Sequence, residues 1–261
     1  MWDGMSESEH HSLRVSIVTV VLDRVTELEQ NLCSVAEQDY PWREHIVIDG
    51  GSSDGSVDLL KCHEDQLAFW SSGPDEGIGD AMNKGVAKAN GDMVLFLHAD
   101  DRFSDGQALG RAMAKVGDAR HIWAFDILFG EGEQKRRCSP RPFNLWTRFK
   151  NPLPHQGVLC PVGLFQQLGG FDPSFKICMD YEFWLRACLA GVRLRRVPQL
   201  LAVMNDTGIS SRRDWKGMHA RFSEERRVHL HHAGTGLWRW LYALYWPLYL
   251  GYRRLRLGLG S

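Results

Sequence analysis

Two short acidic segments in the first hundred residues carry side chains suited to phosphate and metal chemistry. In the stretch 75–101, DEGIGDAMNKGVAKANGDMVLFLHADD, an apolar run from Met93 to Leu97 ends on His98, Asp100 and Asp101. A carboxylate released at the end of a buried strand can hold a divalent cation against a diphosphate. His45 to Ser56, HIVIDGGSSDGS, repeats the arrangement with Asp49, Gly50, Gly51, two serines and Asp54 after a short apolar run. The glycines let the backbone approach a ligand, and the serines and aspartates can bond its hydroxyl and imino groups. The same residues also suit an ordinary strand-to-helix loop in which Ser53 or Asp54 caps a helix over Val57 to Cys62. Farther along, Asp180 precedes Tyr-Glu-Phe-Trp-Leu-Arg. There a carboxylate can take a proton from an attacking hydroxyl, or merely cap a helix.

The elements that must position these groups alternate. Val15 to Val21 reads as a strand, and Val25, Leu28, Leu32 and Val35 follow helical spacing. Ile46 to Ile48 is the second strand, Ala68 to Trp70 a short third, Gly79 to Asn90 a helix closed by Gly91 as a left-handed cap, and Met93 to Leu97 the central strand. This order implies a largely parallel sheet with right-handed crossovers, whose ligands bind at the carboxyl ends of the strands. Residues two apart in a strand point the same way, so His98 and Asp100 are expected to share a face and Asp101 to point elsewhere. After Asp105 come a helix to about Lys115, strands through His121 to Glu133, a basic, proline-rich loop over 134–154, and helices over Phe165 to Gly169 and Tyr181 to Ala190.

Taken in order, Thr19 to Asp23, Asp49 to Ser56, Asn83 to Gly85, His98 to Asp100 and the segment 154–186 resemble a family 2 glycosyltransferase of the A-type fold. The resemblance covers roughly residues 13–212. It implies an α/β, single Rossmann-like nucleotide-diphospho-sugar transferase domain with a mainly parallel central sheet over 13–211. The nucleotide half would span about 13–105 and the acceptor half about 106–211, with a C-terminal helical basic and aromatic tail over 212–261. It further implies inverting transfer of a sugar from a nucleotide-diphospho-sugar to a glycan or lipid-linked acceptor in cell-envelope polysaccharide biosynthesis. Donor contacts would come from Thr19, Val21, Asp23, Asp49, Gly50, Asp80, Asn83, Lys84 and Asp100. A divalent metal, Mn²⁺ or Mg²⁺, would sit on Asp100 with His98 as a direct or neighbouring ligand, and the imidazole tilts the preference toward Mn²⁺. Asp180 is the expected base and Glu182 its alternative, with His155 and Gln156 positioning acceptor or donor sugar. Gly208 to Ser211 resembles a further active-site loop.

The chain departs from the family pattern in three places. Gly50 stands where many relatives carry a second, base-reading aspartate, Met82 where many carry an arginine near the diphosphate, and His98 where the first aspartate of Asp-x-Asp belongs. Lys84 is then the nearest cation to the diphosphate. A nicotinamide-dependent enzyme fits poorly, because Gly77-Ile78-Gly79 is followed by Met82 rather than a third glycine. A nucleotidyltransferase would want a basic, glycine-rich loop after the first strand, where only Arg24 stands. A sugar-nucleotide binding module without turnover is the non-enzymatic alternative.

A net charge of −1 gives no reason to expect nucleic-acid binding. Six cysteines without a Cys-x-x-Cys pair read as reduced, mostly buried thiols, and the polar first dozen residues lack a signal-peptide pattern. Both suggest a cytoplasmic protein. Charge is uneven, however: residues 212–256 hold ten Lys or Arg against three acidic residues, a local +7 that leaves −8 to the rest. This basic end surrounds LWRWLYALYWPLYLGY, 237–252, which as a helix would reach only about 24 Å at about 1.5 Å per residue, short of a membrane's hydrocarbon core of roughly 30 Å. It reads as a segment lying peripherally on the cytoplasmic membrane surface, or as a helix packed on the domain or on a second subunit.

Overall fold

The computed structural model describes residues 12–130, 135–205, 214–234 and 236–258. β1 (Val15–Val21) is buried at every position, as suits an apolar run covered on both faces. It pairs in parallel with β2 (Arg43–Asp49) on one edge and β4 (Met93–Phe96) on the other, and β2 pairs in parallel with β3 (Phe69–Ser72). The helices α1 (Val25–Ala36), α2 (Ser56–Cys62) and α3 (Ile78–Val86) lie between these strands in sequence. The chain moves outward from β1 to β2 and β3, then returns to β4 on the opposite edge of β1. The connections therefore part between β1 and β4, and the crevice beyond the carboxyl ends at such a point is where open α/β sheets bind ligands. Both acidic segments emerge there.

Beyond β4 the sheet is mixed, in the order β3-β2-β1-β4-β8-β6-β9-β5 with β7 on β6. β8 (Val158–Pro161) runs antiparallel to β4 and to β6 (Ile122–Phe129), whereas β9 (Leu194–Met204) runs parallel to β6. β5 (Arg102–Phe103) and β7 (Arg136–Cys138) pair antiparallel with β9 and β6. Helices α4 (Ala108–Met113), α5 (Val162–Gln167) and α6 (Met179–Leu189) complete a single mixed α/β domain.

Several boundaries differ from the expectations. The third helix stops at Val86, and Gly91 does not cap it in the left-handed region. Gly91 permits close approach instead, since a Cβ there would lie 2.6 Å from Ser16 Oγ and 2.8 Å from the Arg14 carbonyl oxygen. Gly85 has the same cause: a Cβ would stand 2.4 Å from Val18 Cγ1, so only glycine lets α3 seat against β1. The segment 134–154 is not all loop, because it contains β7 and a 3-10 turn, Leu145–Arg148, closed by a capping box between Asn144 and Thr147. β9 carries Pro198 where pairing with β6 jumps from Val197 opposite Phe125 to Leu200 opposite Asp126, a bulge that tolerates a residue without an amide hydrogen. The six cysteines are all free; Cys160 and Cys178 are buried, but Cys33 and Cys62 are exposed, so the thiols are not mostly buried.

Two further helices, α7 (Trp215–His231) and α8 (Leu237–Gly258), pack together over α6 and the 145–148 turn. His229 is their polar centre. Trp246 Nε1 donates to His229 Nδ1 at 3.1 Å, and His229 Nε2 lies 2.8 Å from the Tyr181 hydroxyl, which donates to the Thr147 carbonyl. Both ring nitrogens are thus satisfied by a neutral imidazole. Burial, with Lys150 adding repulsion, lowers the His229 pKa to about 3; burial, with Arg43, does the same to His45. A histidine held neutral when folded contributes no difference above its unfolded pKa of about 6.5 and destabilises the fold below it, where only the unfolded chain takes up the proton. Each should cost about 1.4 kcal/mol per pH unit below about 6.5. The melting temperature, followed by circular dichroism, should therefore fall between pH 6.5 and 5, where carboxylates with depressed pKa remain ionised; a flat profile would contradict this.

Candidate active site

The donor side is built from three loops at the carboxyl ends of β1, β2 and β4. Asp49 is fully buried; its Oδ2 accepts from the amides of Gly51 and Ser52 at 3.0 and 2.9 Å and from Ser72 Oγ at 2.6 Å. Its Oδ1 is buried with no hydrogen-bond partner. Asp23, with φ of 50°, accepts from the Ser53 amide at 2.8 Å and its own amide donates to Ser52 Oγ, which ties the β1 and β2 loops together. Val21 contributes through its carbonyl, which accepts from the Gly50 amide at 2.9 Å. Neither Ser53 nor Asp54 caps α2, whose N-cap is Gly55 with no side-chain bond; Asp54 accepts the Ser56 amide through one oxygen and the Val25 amide at the start of α1 through the other.

Sequence reasoning passed over Asp75, which the fold places beside Gly50. A Cβ on Gly50 would meet Asp75 Oδ2 at 2.7 Å, while Asp75 Oδ1 accepts from the Gly77 amide at 2.7 Å. The space that a second loop aspartate would fill is thus taken by a carboxylate from the β3–α3 turn. Spacing could not show this, since it depends on how that turn folds back.

Three residues expected on the donor have other work. Thr19 is fully buried and donates to the Leu97 carbonyl at 2.8 Å, beside Asn31 and His45. Through Asn31, which donates to the carbonyls of His98 and Asp101 at 2.9 Å each, it braces the acidic turn from beneath. Asn83 is a clamp: its Nδ2 donates to the Phe171 carbonyl at 2.8 Å and its Oδ1 accepts the Phe171 amide at 2.9 Å. Gly170 is glycine because its φ is +67° and a Cβ would lie 2.7 Å from that Oδ1. Lys84 is paired with Asp80 at 2.8 Å, and Asp80 also accepts the Glu76 amide; these bonds, the amide first, hold Asp80 below the usual carboxylate range. Met82 lies in the core, so no side chain at that position faces the cleft. Another cation, Lys176, does reach the turn and bonds the Glu76 carbonyl. Asn83→Ala strips both groups of Phe171 of their partner and should cost about 1–3 kcal/mol of stability. Chemical denaturation would show it, and an unchanged midpoint would remove the clamp role.

The acidic segment is a turn, not a strand end. β4 stops at Phe96, and the Asp101 amide bonds the His98 carbonyl at 2.9 Å, so the expected strand alternation of His98, Asp100 and Asp101 does not apply. Asp101 folds inward, accepting the His98 amide at 3.2 Å and a bond from Gln156. Its burial, and then the charge of Asp100, push its pKa well above the usual carboxylate range. Gln156 is itself buried, so it forms the wall behind the turn, with Oε1 unpartnered.

On the acceptor side, Asp180 opens α6 and is held by Asn151 Nδ2 at 2.9 Å, by His155 Nδ1 at 3.5 Å and by the Tyr181 amide at 2.6 Å. His155 Nε2 in turn lies 2.8 Å from His98 Nε2. The two imidazoles therefore connect the base candidate directly to the acidic turn, a link that sequence separation hides. Burial, then His155, drive the His98 pKa well below its ordinary value, so His98 is neutral. Its Nδ1 is buried without a partner. Glu182 is corrected: it points into the α6–α7 interface, paired with Arg186 at 2.6 Å and His232 at 2.9 Å. Burial works against its charge, yet the bonds from His232 and Arg186 hold its pKa below the usual range. Held ionised by these two pairs, Glu182 is a weaker proton acceptor than a free carboxylate. Glu224 of α7 accepts the amides of Lys176, Ile177 and Cys178, fixing the segment that aims Asp180. The Gly208 to Ser211 loop lies outside the described residues.

For a divalent metal the residues that could contribute are Asp100 and, through its buried, unpartnered Nδ1, His98. Among the described residues no group of three or more His, Cys, Asp or Glu could hold an ion unaided. The residues fit a cation that shares its shell with diphosphate oxygens and water, the habit of Mg²⁺ and Mn²⁺.

The model for the family described as glycosyl transferase family 2 matches residues 16–165. An uncharacterized glycosyltransferase of Mycobacterium tuberculosis is 38% identical over 208 residues, covering 77% of this chain and 78% of its own. A PGL/p-HBAD biosynthesis glycosyltransferase of Mycobacterium bovis is 29% identical over 202 residues, covering 74% and 77%. Among solved structures, residues 1–349 of S. aureus TarS with UDP-GlcNAc superpose with a TM-score of 0.66 at 18% identity, over 86% of this chain and 68% of that one. The mannosyltransferase PcManGT of Pyrobaculum calidifontis with GDP-Man and Mn²⁺ gives 0.66 at 18% identity, over 87% and 66%. This chain spans 40% of the longer TarS chain.

Proposed function

The chain belongs to glycosyl transferase family 2, and on that premise we propose that it transfers a sugar from a nucleotide-diphospho-sugar with inversion to a hydroxyl of a glycan or lipid-linked acceptor. The observation that carries this reading is the connected path Asp180, His155, His98 at the crevice between β1 and β4, which sets a held carboxylate against the acidic turn. Asp180 takes the proton of the attacking hydroxyl. His155, with Nδ1 toward Asp180, and Asn151 orient it for that task. Asp49 and Asp75 would read the base, and Asp100 would hold a cation for the diphosphate. When bound, that cation neutralises charge on the departing phosphates. The solved relatives with UDP-GlcNAc and with GDP-Man and Mn²⁺ support both donor class and metal.

The acceptor belongs to cell-envelope glycan biosynthesis, a reading supported by the relative named for PGL/p-HBAD biosynthesis. The basic, aromatic tail supports work at the cytoplasmic face of a membrane. A thermal-shift panel of nucleotide sugars tests the donor assignment, because a ligand of the folded state raises its melting temperature. At least one UDP- or GDP-sugar should do so with Mn²⁺ and lose the effect in EDTA. No response to any nucleotide sugar would overturn the reading.

A further inference from the structure

Helix α8 has an apolar face on each side, and only one of them is covered. Tyr242 and Trp246 are buried against α7 and Phe149. On the opposite side Leu237, Trp240, Leu244, Leu248, Tyr252 and Leu255 recur every three or four residues, each 54–78% exposed. This stripe runs about 27 Å at about 1.5 Å per residue. Leu145 and Trp146, exposed at 64 and 72%, stand on the 3-10 turn whose neighbour Phe149 packs edge-on among the aromatics of the covered face. Exposed apolar surface of this kind marks an interaction site.

Charge selects the occupant. Exposed Arg254 flanks the stripe on α8, in a segment, 212–256, of net +7. Two copies of this chain meeting face to face would bring two such segments together, whereas an anionic lipid surface neutralises them. No described helix is long and apolar enough to cross a membrane, so α8 would lie on it. The same layer carries the acceptor side: Glu224 of α7 holds the approach to α6, and Asn151, five residues beyond Trp146, bonds Asp180.

We propose that the bare leucine stripe of α8, with Leu145 and Trp146, docks on an anionic lipid bilayer with the helix parallel to its plane, so that the acceptor side of the cleft works next to lipid. This deepens the membrane-surface reading of the proposed function and rests on it for its purpose, though the docking surface itself stands on the geometry of α8.

The test is co-sedimentation of the full chain with vesicles of phosphatidylcholine alone or mixed with phosphatidylglycerol, alongside Leu244→Glu/Leu248→Glu and Arg254→Glu. The wild type should pellet with the mixed vesicles, less with neutral ones and less in high salt. The leucine variant should lose at least about tenfold in partition. The arginine variant should lose the preference for anionic lipid while keeping residual apolar binding. The replaced side chains are exposed, so both variants should keep the wild-type melting temperature. Wild-type protein left in the supernatant, or a folded leucine variant that pellets equally, would overturn the proposal. So would sedimentation velocity showing a wild-type dimer that the leucine pair dissociates, with no vesicle binding. A leucine variant that misfolds would put those side chains in the core and count against the proposal as well. Donor-induced thermal shift separates the two claims: its loss with lipid binding intact would sink the glycosyltransferase reading and leave the docking surface standing.

Discussion

Asp180→Asn should lower the transfer rate by roughly 10²–10⁴-fold, the scale of losing a general base, while nucleotide-sugar affinity stays near wild type. The substitution is nearly isosteric, and the new amide oxygen can still accept from Asn151 or the Tyr181 amide, which are 2.9 and 2.6 Å from the native carboxylate. Folding should survive, because α6 is anchored independently by Glu224 and by the Arg186 and His232 contacts of Glu182. What the amide cannot do is accept the acceptor's proton. The defect should fall on kcat with little change in the donor KM, because no donor contact is removed. Steady-state kinetics at saturating donor would read it. Wild-type kcat would take the role from Asp180, and Glu182, held ionised in its two pairs, would be a weaker replacement.

Asp100→Ala is expected to remove the metal-dependent part of donor binding and to slow transfer by about 10²–10³-fold, the equivalent of a few kcal/mol of lost charge stabilisation. The described residues contain no three-ligand group, so the free protein should bind Mn²⁺ weakly and the cation should arrive with the diphosphate. Calorimetric titration should show donor affinity rising with Mn²⁺ in the wild type and no longer doing so in the variant. The fold should be unaffected, since Asp100 sits in a partly exposed turn whose frame is Asp101, Gln156 and Asn31. Mn²⁺-dependent tightening that persists in Asp100→Ala would show that the ligand lies elsewhere.

Much of this site is legible in the order of residues alone. The apolar runs of β1, β2 and β4 fix a parallel arrangement because they can only be buried on both faces, and their polar ends mark the crevice. Side-chain direction is not legible in the same way. Asn83 and Thr19 carry the right polar groups for a ligand, but a short amide or hydroxyl satisfies a nearby backbone group equally well, and tertiary contact decides between the two. Residues brought together from afar are also hidden: Asp75 beside Gly50, and His155 between His98 and Asp180, share no local pattern. The turn at His98 defeats strand alternation because Asp101 bonds back to the His98 amide, which ends the extended run early. The composition of the tail admits a membrane-facing helix or a packed one, and α8 has one packed face and one exposed apolar face, an outcome that a composition average cannot express.

The most direct test of the central claim is the anomeric configuration of the product. Once a donor is found by thermal shift, the transferred sugar's anomeric proton and carbon can be followed by NMR from the first turnover. Attack by a hydroxyl activated at Asp180 is a single displacement, so the product should carry the configuration opposite to the donor's, and the signal should be absent in Asp180→Asn. A product with the donor's configuration would contradict the account, since retention needs either two displacements or attack from the leaving-group face, and neither is the single back-side displacement described.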